Sequence, residues 1–302
     1  MELKQIGERT YYVSGMFHVG VYVLDKAEDE PDIYADKIPV CLIDSGLDDE
    51  VAAEIDKLLC DNHFYVRMII NTHYHADHSG GNSYFKEKYD CVILSTKPNA
   101  ALIANYDVCP AMLWGASPVQ DILTHYFYTT STEALAIEDY ELPEGLSTEA
   151  FPGHCIAMIG VRTSDDVLFV GDAVISEQTL SHSSLSYIYD IGEYLESLDR
   201  LERMSASVFV PYHAEPVNDI SGLVCINRSS VMNIIAIIKD ICEKPTSFEE
   251  IYSTIYNRCG MRTNLYRYTI EGAIVRGYLS YLYNNGELET LVIDNFIKWH
   301  TL

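Results

Sequence analysis

Four side chains able to bind a metal ion fall within six residues, His73-Tyr74-His75-Ala76-Asp77-His78. Neutral imidazole and carboxylate oxygen suit zinc, iron and manganese alike. Side chains two residues apart on an extended loop project to one side, which places His73 and His75 to grip one ion. Asp77 and His78 then face a neighbouring position. Most histidines pack or sit at the surface. Three of them beside an aspartate, in a chain with only ten, are hard to reconcile with packing alone.

Such a cluster needs a loop held at the end of a strand, and the flanking pattern supplies one. Residues 10–14, 19–24 and 39–43 are rich in β-branched and aromatic side chains and read as strands. Val51, Ile55, Leu58 and Leu59 have helical spacing across residues 49–60. Residues 66–70 form a buried-strand pattern running straight into Asn71-Thr72-His73. The order strand, helix, strand, histidines puts the cluster at the C-terminal end of a strand, where α/β folds assemble active sites. After Gly80-Gly81-Asn82 the pattern repeats, with a helix over 82–88 and a strand over 91–95.

Residues 98–135 read as mostly helical, broken at Pro110 and Pro118. Their Leu113, Trp114, Tyr126, Phe127 and Tyr128 fit either core packing or a lid and pocket wall. Strand character returns over 156–161 and 167–170. A helix over 191–204 presents Leu195, Leu198 and Leu201 on one side, and the strand 208–210 runs into Pro211-Tyr212-His213. Beyond residue 229 come helices over 229–242, 247–258 and 268–283, the turn Asn284-Asn285-Gly286 and a strand at 290–293. The expected organisation is a catalytic domain over 1–225 and a small helical or winged-helix-like region over 226–302.

Composition limits the function. With 302 residues, 48% of them apolar, the chain can bury a large core. A net charge of −25 repels phosphate backbones, so nucleic acid is an unexpected partner. Acidic runs at 28–30 and 48–50 read as solvated turns and helix starts. Eight cysteines occur without a C-x-x-C pair, which favours a reduced, cytoplasmic setting and gives no thiolate zinc site. Charged residues follow Met1 with no apolar signal region, and the most apolar stretch, 231–241, is broken by Asn233, Lys239 and Asp240. Neither secretion nor a membrane span is expected.

The segment Thr72-His73-Tyr74-His75-Ala76-Asp77-His78-Ser79-Gly80-Gly81-Asn82 resembles the signature of the metallo-β-lactamase superfamily. The resemblance continues in order through Phe151-Pro152-Gly153-His154, Phe169-Val170-Gly171-Asp172 and Pro211-Tyr212-His213-Ala214-Glu215-Pro216. It covers roughly residues 10–220 and includes the strand ending at Leu42-Ile43-Asp44-Ser45-Gly46. What it implies is an α/β fold, an αββα sandwich with metals held at one edge by loops of both sheets. It implies two divalent ions, zinc first, with iron or manganese accepted by the same ligands. His73, His75 and His154 would hold the first and Asp77, His78 and His213 the second, with Asp172 bridging. Between two cations, water would ionise near neutral pH and act as the nucleophile. Asp77 and Asp172 are thus the expected catalytic carboxylates, and Asp44 either orients a ligand from behind or caps a turn.

Tyr212 and Ala214 stand where the family usually has glycines beside its last histidine, so Tyr212 either reaches over the metals toward substrate or packs. His182, ten residues after Asp172, is a second candidate substrate contact. Cys155 follows a ligand in a strand-like stretch, which turns its thiol away from the site. A bridging aspartate at 172 sets the chain apart from true zinc β-lactamases. It resembles the glyoxalase II-like branch, acting on an ester, thioester, lactone or phosphodiester of small-molecule size. Ile175 stands where quorum-signal lactonases tend to carry tyrosine. Arg258, Arg262, Arg267 and Arg276 are available for an anionic thioester but form no recognisable motif. Two alternatives use the same scaffold. An endoribonuclease is opposed by the charge, and a di-iron oxygen or nitric oxide reductase by His75, where those proteins commonly have glutamate. The C-terminal region offers a dimerisation surface, so a homodimer is one expected assembly.

Overall fold

Seven strands pair in chain order to make the larger sheet: β1 (Glu2–Gln5), β2 (Thr10–Ser14), β3 (Val19–Val23), β4 (Ile38–Ile43), β5 (Phe64–Ile70), β6 (Val92–Ser95) and β7 (Leu135–Ala136). The first four run antiparallel, and β4 through β7 are parallel. Parallel neighbours need crossovers. These are α1 (Asp49–Asp61), then α2 (Ala76–Ser79) with α3 (Asn82–Tyr89), then α4 (Lys97–Ala104) with α5 (Val108–Trp114). The computed structural model describes residues 1–27, 32–123, 128–182 and 185–302. The acidic turn expected at 28–31, Tyr126 and Phe127 lie outside the described residues.

The second sheet has the order β11-β10-β9-β8, from β8 (Leu146–Ala150), β9 (Ile159–Thr163), β10 (Val167–Gly171) and β11 (Val208–Pro211). Helices α6 (Glu177–His182) and α7 (Ile191–Arg203) lie in the crossover between the parallel pair β10 and β11. Period-two alternation sorts side chains between two layers. From β4, Cys41 and Ile43 meet Met68, Ile70, Phe169 and Val210 between the sheets, while Val40 and Leu42 pack outward with Ile55 and Leu59 of α1. On the other flank Leu168 and Val170 of β10 face Leu198 and Leu201 of α7. The result is helix, sheet, sheet, helix, the sandwich that the resemblance implies.

The remaining chain forms α8 (Ser221–Ile241), β12 (Thr246–Ser247), α9 (Phe248–Arg258), α10 (Leu265–Asn284), β13 (Leu288–Ile293) and β14 (Phe296–Thr301). The last three strands make a small antiparallel sheet of order β12-β14-β13. The expected division at 225/226 falls inside α8. Val231, Ile234 and Ile238 of α8 and Val275 and Leu279 of α10 share one core with α7 and the second sheet. By length and mean hydropathy, 1.5 over its best window, α8 is apolar enough to cross a membrane. The face carrying Val224, Asn227, Val231 and Ile234 is buried against protein.

Two glycines tie strand ends to helices. Gly153 has φ of +120°, and a Cβ there would stand 2.2 Å from the Tyr194 backbone nitrogen at the start of α7. Its carbonyl accepts from Tyr189 and Asp190. Gly80 is equally confined, since a Cβ would lie 1.8 Å from the Leu47 carbonyl oxygen. G153A is therefore expected to lower unfolding free energy by about 2–4 kcal/mol in urea titration, through strain at a special φ and a backbone clash. A loss below ~0.5 kcal/mol would contradict this packing.

Candidate metal centre

Every ligand-type residue of the cluster follows the C-terminal end of a strand. Asp44 follows β4, His73 through His78 follow β5, His154 follows β8, Asp172 follows β10 and His213 follows β11. β4 and β5 are parallel, and so are β10 and β11. β8 and β10 each run antiparallel to β9, which gives them a common direction. All these ends therefore emerge at one edge of the sandwich. A hydrogen bond from Ile159 to the Thr72 carbonyl, 3.1 Å, joins the two sheets at this edge.

The seven expected ligands converge in two groups, within each of which the donor atoms lie inside 4.8 Å of one another: His73, His75 and His154, and Asp77, His78, Asp172 and His213. In the first, His75 Nδ1 stands 2.9 Å from His73 Nε2 and 3.0 Å from His154 Nε2. Burial lowers all three pKa values, His73 well below the ordinary range and His75 to about 3. Three neutral rings then turn nitrogens toward one point, an arrangement that a shared cation satisfies.

Asp172 reaches toward both groups, with Oδ2 3.4 Å from His154 Nε2 and Oδ1 3.4 Å from His78 Nε2. In the second group, His213 Nε2 meets Asp77 Oδ2 at 3.1 Å. Desolvation would raise the Asp172 and Asp77 carboxyls. Surrounding imidazoles outweigh it, holding Asp172 well below its ordinary range and Asp77 near 2. Conversely, burial would lower His78 and His213, but the carboxylates of Asp44, Asp172 and Asp77 hold His78 well above its ordinary value, and Asp172 and Asp77 raise His213.

Five buried polar side-chain atoms lack a hydrogen-bond partner among the described residues, and two of them are His78 Nε2 and Asp172 Oδ1. Buried polar atoms without hydrogen bonds cost about 1–3 kcal/mol each, so two of them face to face at the centre of the cluster fit a site that holds a cation. The donor set of histidine and aspartate, without thiolate, fits zinc, iron or manganese.

Supporting residues set the aim of the rings. Asp44, buried and with φ of +65°, accepts from His78 Nδ1 at 2.8 Å and from Thr72 N at 2.7 Å, so His78 Nε2 points into the cluster. Asp44 thus takes the orienting role among its two expected ones. Asn71 donates to the His78 carbonyl, and Ser45 N bonds the same oxygen. Tyr212 is buried, stacks on His78 at 3.7 Å and donates its hydroxyl to the Asp77 carbonyl. Its donor is therefore spent on the loop rather than offered to substrate. Cys155 is buried with its thiol toward Asn99, away from the cluster as expected. The His182 side chain lies outside the described residues. His18 is occupied with the Pro211 carbonyl and His300 with Glu289.

A cavity of about 290 Å³ opens on His75, Asp77, His154 and Asp172. Tyr106, Cys109 and Leu113 supply one wall, which makes part of the 98–135 segment a pocket wall. Pro110 sits in the first turn of α5, where a missing N–H costs nothing. The opposite wall, with Tyr266, Ile270, Glu271 and Ile274, comes from α10. From the sequence, only Arg267 and Arg276 of that helix are candidates for substrate, and neither lines this cavity. The available signal was its apolar residues around the whole circumference, which require cover on more than one side.

Fold and cluster together define an αββα sandwich with a histidine and aspartate metal-ligand cluster at its edge. The pattern of the metallo-beta-lactamase superfamily matches residues 39–213, well over half of the chain, and the chain belongs to that superfamily. It is similar to a hydroxyacylglutathione hydrolase of Prochlorococcus marinus (strain MIT 9312), 27% identical over 173 residues and covering 55% of each chain. A hydroxyacylglutathione hydrolase of Pelagibacter ubique (strain HTCC1062) is 36% identical over 62 residues, 20% of this chain and 26% of that one. The chain thus spans about half or less of these curated relatives. Among solved structures, a beta-lactamase domain protein from Burkholderia ambifaria superposes with a TM-score of 0.70 at 16% identity, covering 99% of this chain and 93% of that one. A metallo-beta-lactamase family protein from Thermus thermophilus gives 0.69 at 16% identity, with 95% and 94% covered. These likenesses concern the fold.

Because Asp44 aims His78, D44N is expected to weaken zinc affinity by roughly 10–100-fold in a chelator-competition titration. An affinity equal to wild type would remove Asp44 from this role.

Proposed function

We propose that the chain is a dinuclear metal-dependent hydrolase acting on a carboxylic ester or thioester of small-molecule size. The observation that carries the reading is the facing pair His78 Nε2 and Asp172 Oδ1, buried 3.4 Å apart without a hydrogen bond amid five further metal-type side chains. His73, His75 and His154 would hold one ion and Asp77, His78 and His213 the other, with Asp172, which reaches toward both groups, shared between them. When bound, two divalent ions of zinc, iron or manganese supply a Lewis acid for the substrate carbonyl and bring water close to ionisation at neutral pH. The two curated relatives, both hydroxyacylglutathione hydrolases by name, favour a thioester.

The chain's own residues do the rest. Burial keeps the three imidazoles of the first group neutral and ready as ligands. Asp44, Asn71 and Tyr212 hold the loop 73–78 so that little reorganisation is needed on binding. Asp77 lines the cavity with its side chain about a quarter exposed, and there it can receive the proton that the attacking water gives up. Tyr74, Tyr106 and Tyr187 line the cavity with their rings. We place the reaction in residues 1–225 and give residues 226–302 the task of closing the pocket.

Metal analysis of the purified chain should give about two equivalents per chain. D172A should lower thioester or ester turnover by at least ~10²–10³-fold while the far-ultraviolet circular dichroism is retained. One equivalent or none in a folded chain, or an active D172A variant, would overturn the proposal. Hydrolysis of a β-lactam or phosphodiester in preference to thioesters and esters would reassign the substrate.

A further inference from the structure

The geometry points to an uncharged, apolar acyl chain as the part of the substrate seated between α5 and α10, with Glu271 rejecting acyl groups that end in a carboxylate. This rests on the hydrolase reading above and adds the substrate class.

The cavity that opens on the cluster is walled away from it by Tyr74, Tyr106, Leu113, Tyr187, Ile270 and Ile274. Apart from the metal-type residues it contains one charged side chain, Glu271, whose carboxylate accepts from the Tyr256 hydroxyl. The twenty lysines and arginines all fall among the described residues, and none of them lines this cavity. An adjoining cavity of about 490 Å³ shares Tyr74, Cys109, Leu113, Tyr187 and Ile274 with it, so the two make one groove. Its one basic residue, Arg276, lies over the Phe248 ring at 4.2 Å. Arg258, another basic residue of this region, is paired with Asp240.

Recognition of a carboxylate or phosphate away from the metals needs a cation or a set of inward donors. The cavity on the cluster offers phenol rings, aliphatic side chains and a carboxylate, and the groove's one lining cation, Arg276, lies in the adjoining cavity over the Phe248 ring. An apolar chain gains by leaving water there, whereas a terminal carboxylate would lose its hydration beside Glu271. In the reaction water adds its oxygen to the acyl carbon and the C–S bond breaks. The thiolate leaves and takes up one proton, giving a carboxylic acid and a thiol.

The matched test compares octanoyl and suberoyl thioesters of N-acetylcysteamine, an uncharged thiol, on the metal-loaded full chain. kcat/KM is expected to be at least tenfold higher for octanoyl than for suberoyl, and at least tenfold higher for octanoyl than for acetyl. E271Q should narrow the octanoyl-to-suberoyl ratio at least threefold. I270W or, should that fail to fold, L113W should raise KM for octanoyl more than for acetyl. Calorimetric binding of the unreactive amides N-(2-acetamidoethyl)octanamide and its suberoyl counterpart gives a readout independent of turnover. Octanamide binding with at least tenfold preference supports the pocket even if no thioester is cleaved, an outcome that would sink only the hydrolase reading. Equal or better turnover or binding of the suberoyl compounds, or best turnover of an anionic glutathione thioester, would overturn the inference while leaving a hydrolase in place.

Discussion

Everything at this site depends on a shared direction of strands in two separate sheets, whose strands do not pair with one another among the described residues. β5 brings His73 through His78 to one edge, while β8, β10 and β11 bring His154, Asp172 and His213 to the same edge. What holds these ends opposite one another is the apolar layer between the sheets, where Ile43 and Ile70 meet Phe169 and Val210. Hydrophobic packing is non-directional, so it sets the approach of the sheets but not the aim of the rings. Directional bonds supply that. The bond that Ile159 donates to Thr72 and the two that Asp44 accepts from Thr72 and His78 convert a packed interface into a defined cluster.

The first ligands were legible because they are contiguous. His73, His75, Asp77 and His78 declare themselves by type and spacing, and the strand before them is a run of apolar residues ending at the cluster. His154, Asp172 and His213 are single residues far apart in sequence. Composition and periodicity say nothing of their meeting, and only their ordered motifs singled them out. The long helices were also readable, though α8 begins at Ser221, earlier than the 229 expected from its apolar spacing. The start was missed because residues 221–228 mix Ser, Gly, Asn and Arg with apolar residues. The strand expected at 156–161 lies at Ile159–Thr163, since residues 151–158 are spent on the loop that carries His154. Helix α10 was legible as a helix and illegible as a pocket wall. Which side of an evenly apolar helix faces core and which faces cavity is settled by its neighbours, not by its own residues.

Tyr212 illustrates a different limit. Its position beside His213 suggested a hydroxyl over the metals, since a tyrosine where glycine is usual must put its ring somewhere. The structure places the ring between Phe17, stacked at 5.1 Å, and His78. The same substitution that fills this space also gives the Asp77 carbonyl a donor. A side chain in place of glycine here braces the ligand loop from below. It does so through contacts with residues 17, 77 and 78 that are remote in sequence.

The electrostatics of the cluster explain why a strongly acidic chain can keep three more carboxylates inside. Asp44 and Asp172 are buried and Asp77 partly so, and unpaired charges in such surroundings would cost several kcal/mol each. Their compensation is local. Protons on His78 and His213, both favoured by these carboxylates, offset part of the negative charge, while His73, His75 and His154 stay neutral. The three carboxylates favour positive charge at the cluster, where His78 Nε2 and Asp172 Oδ1 face each other. Divalent cations would supply more of it than those protons do. The local field would then be positive at the cluster and negative at Glu271 across the cavity. A polarised carbonyl at one end and an uncharged chain along the tyrosine wall suit that gradient better than a substrate charged throughout.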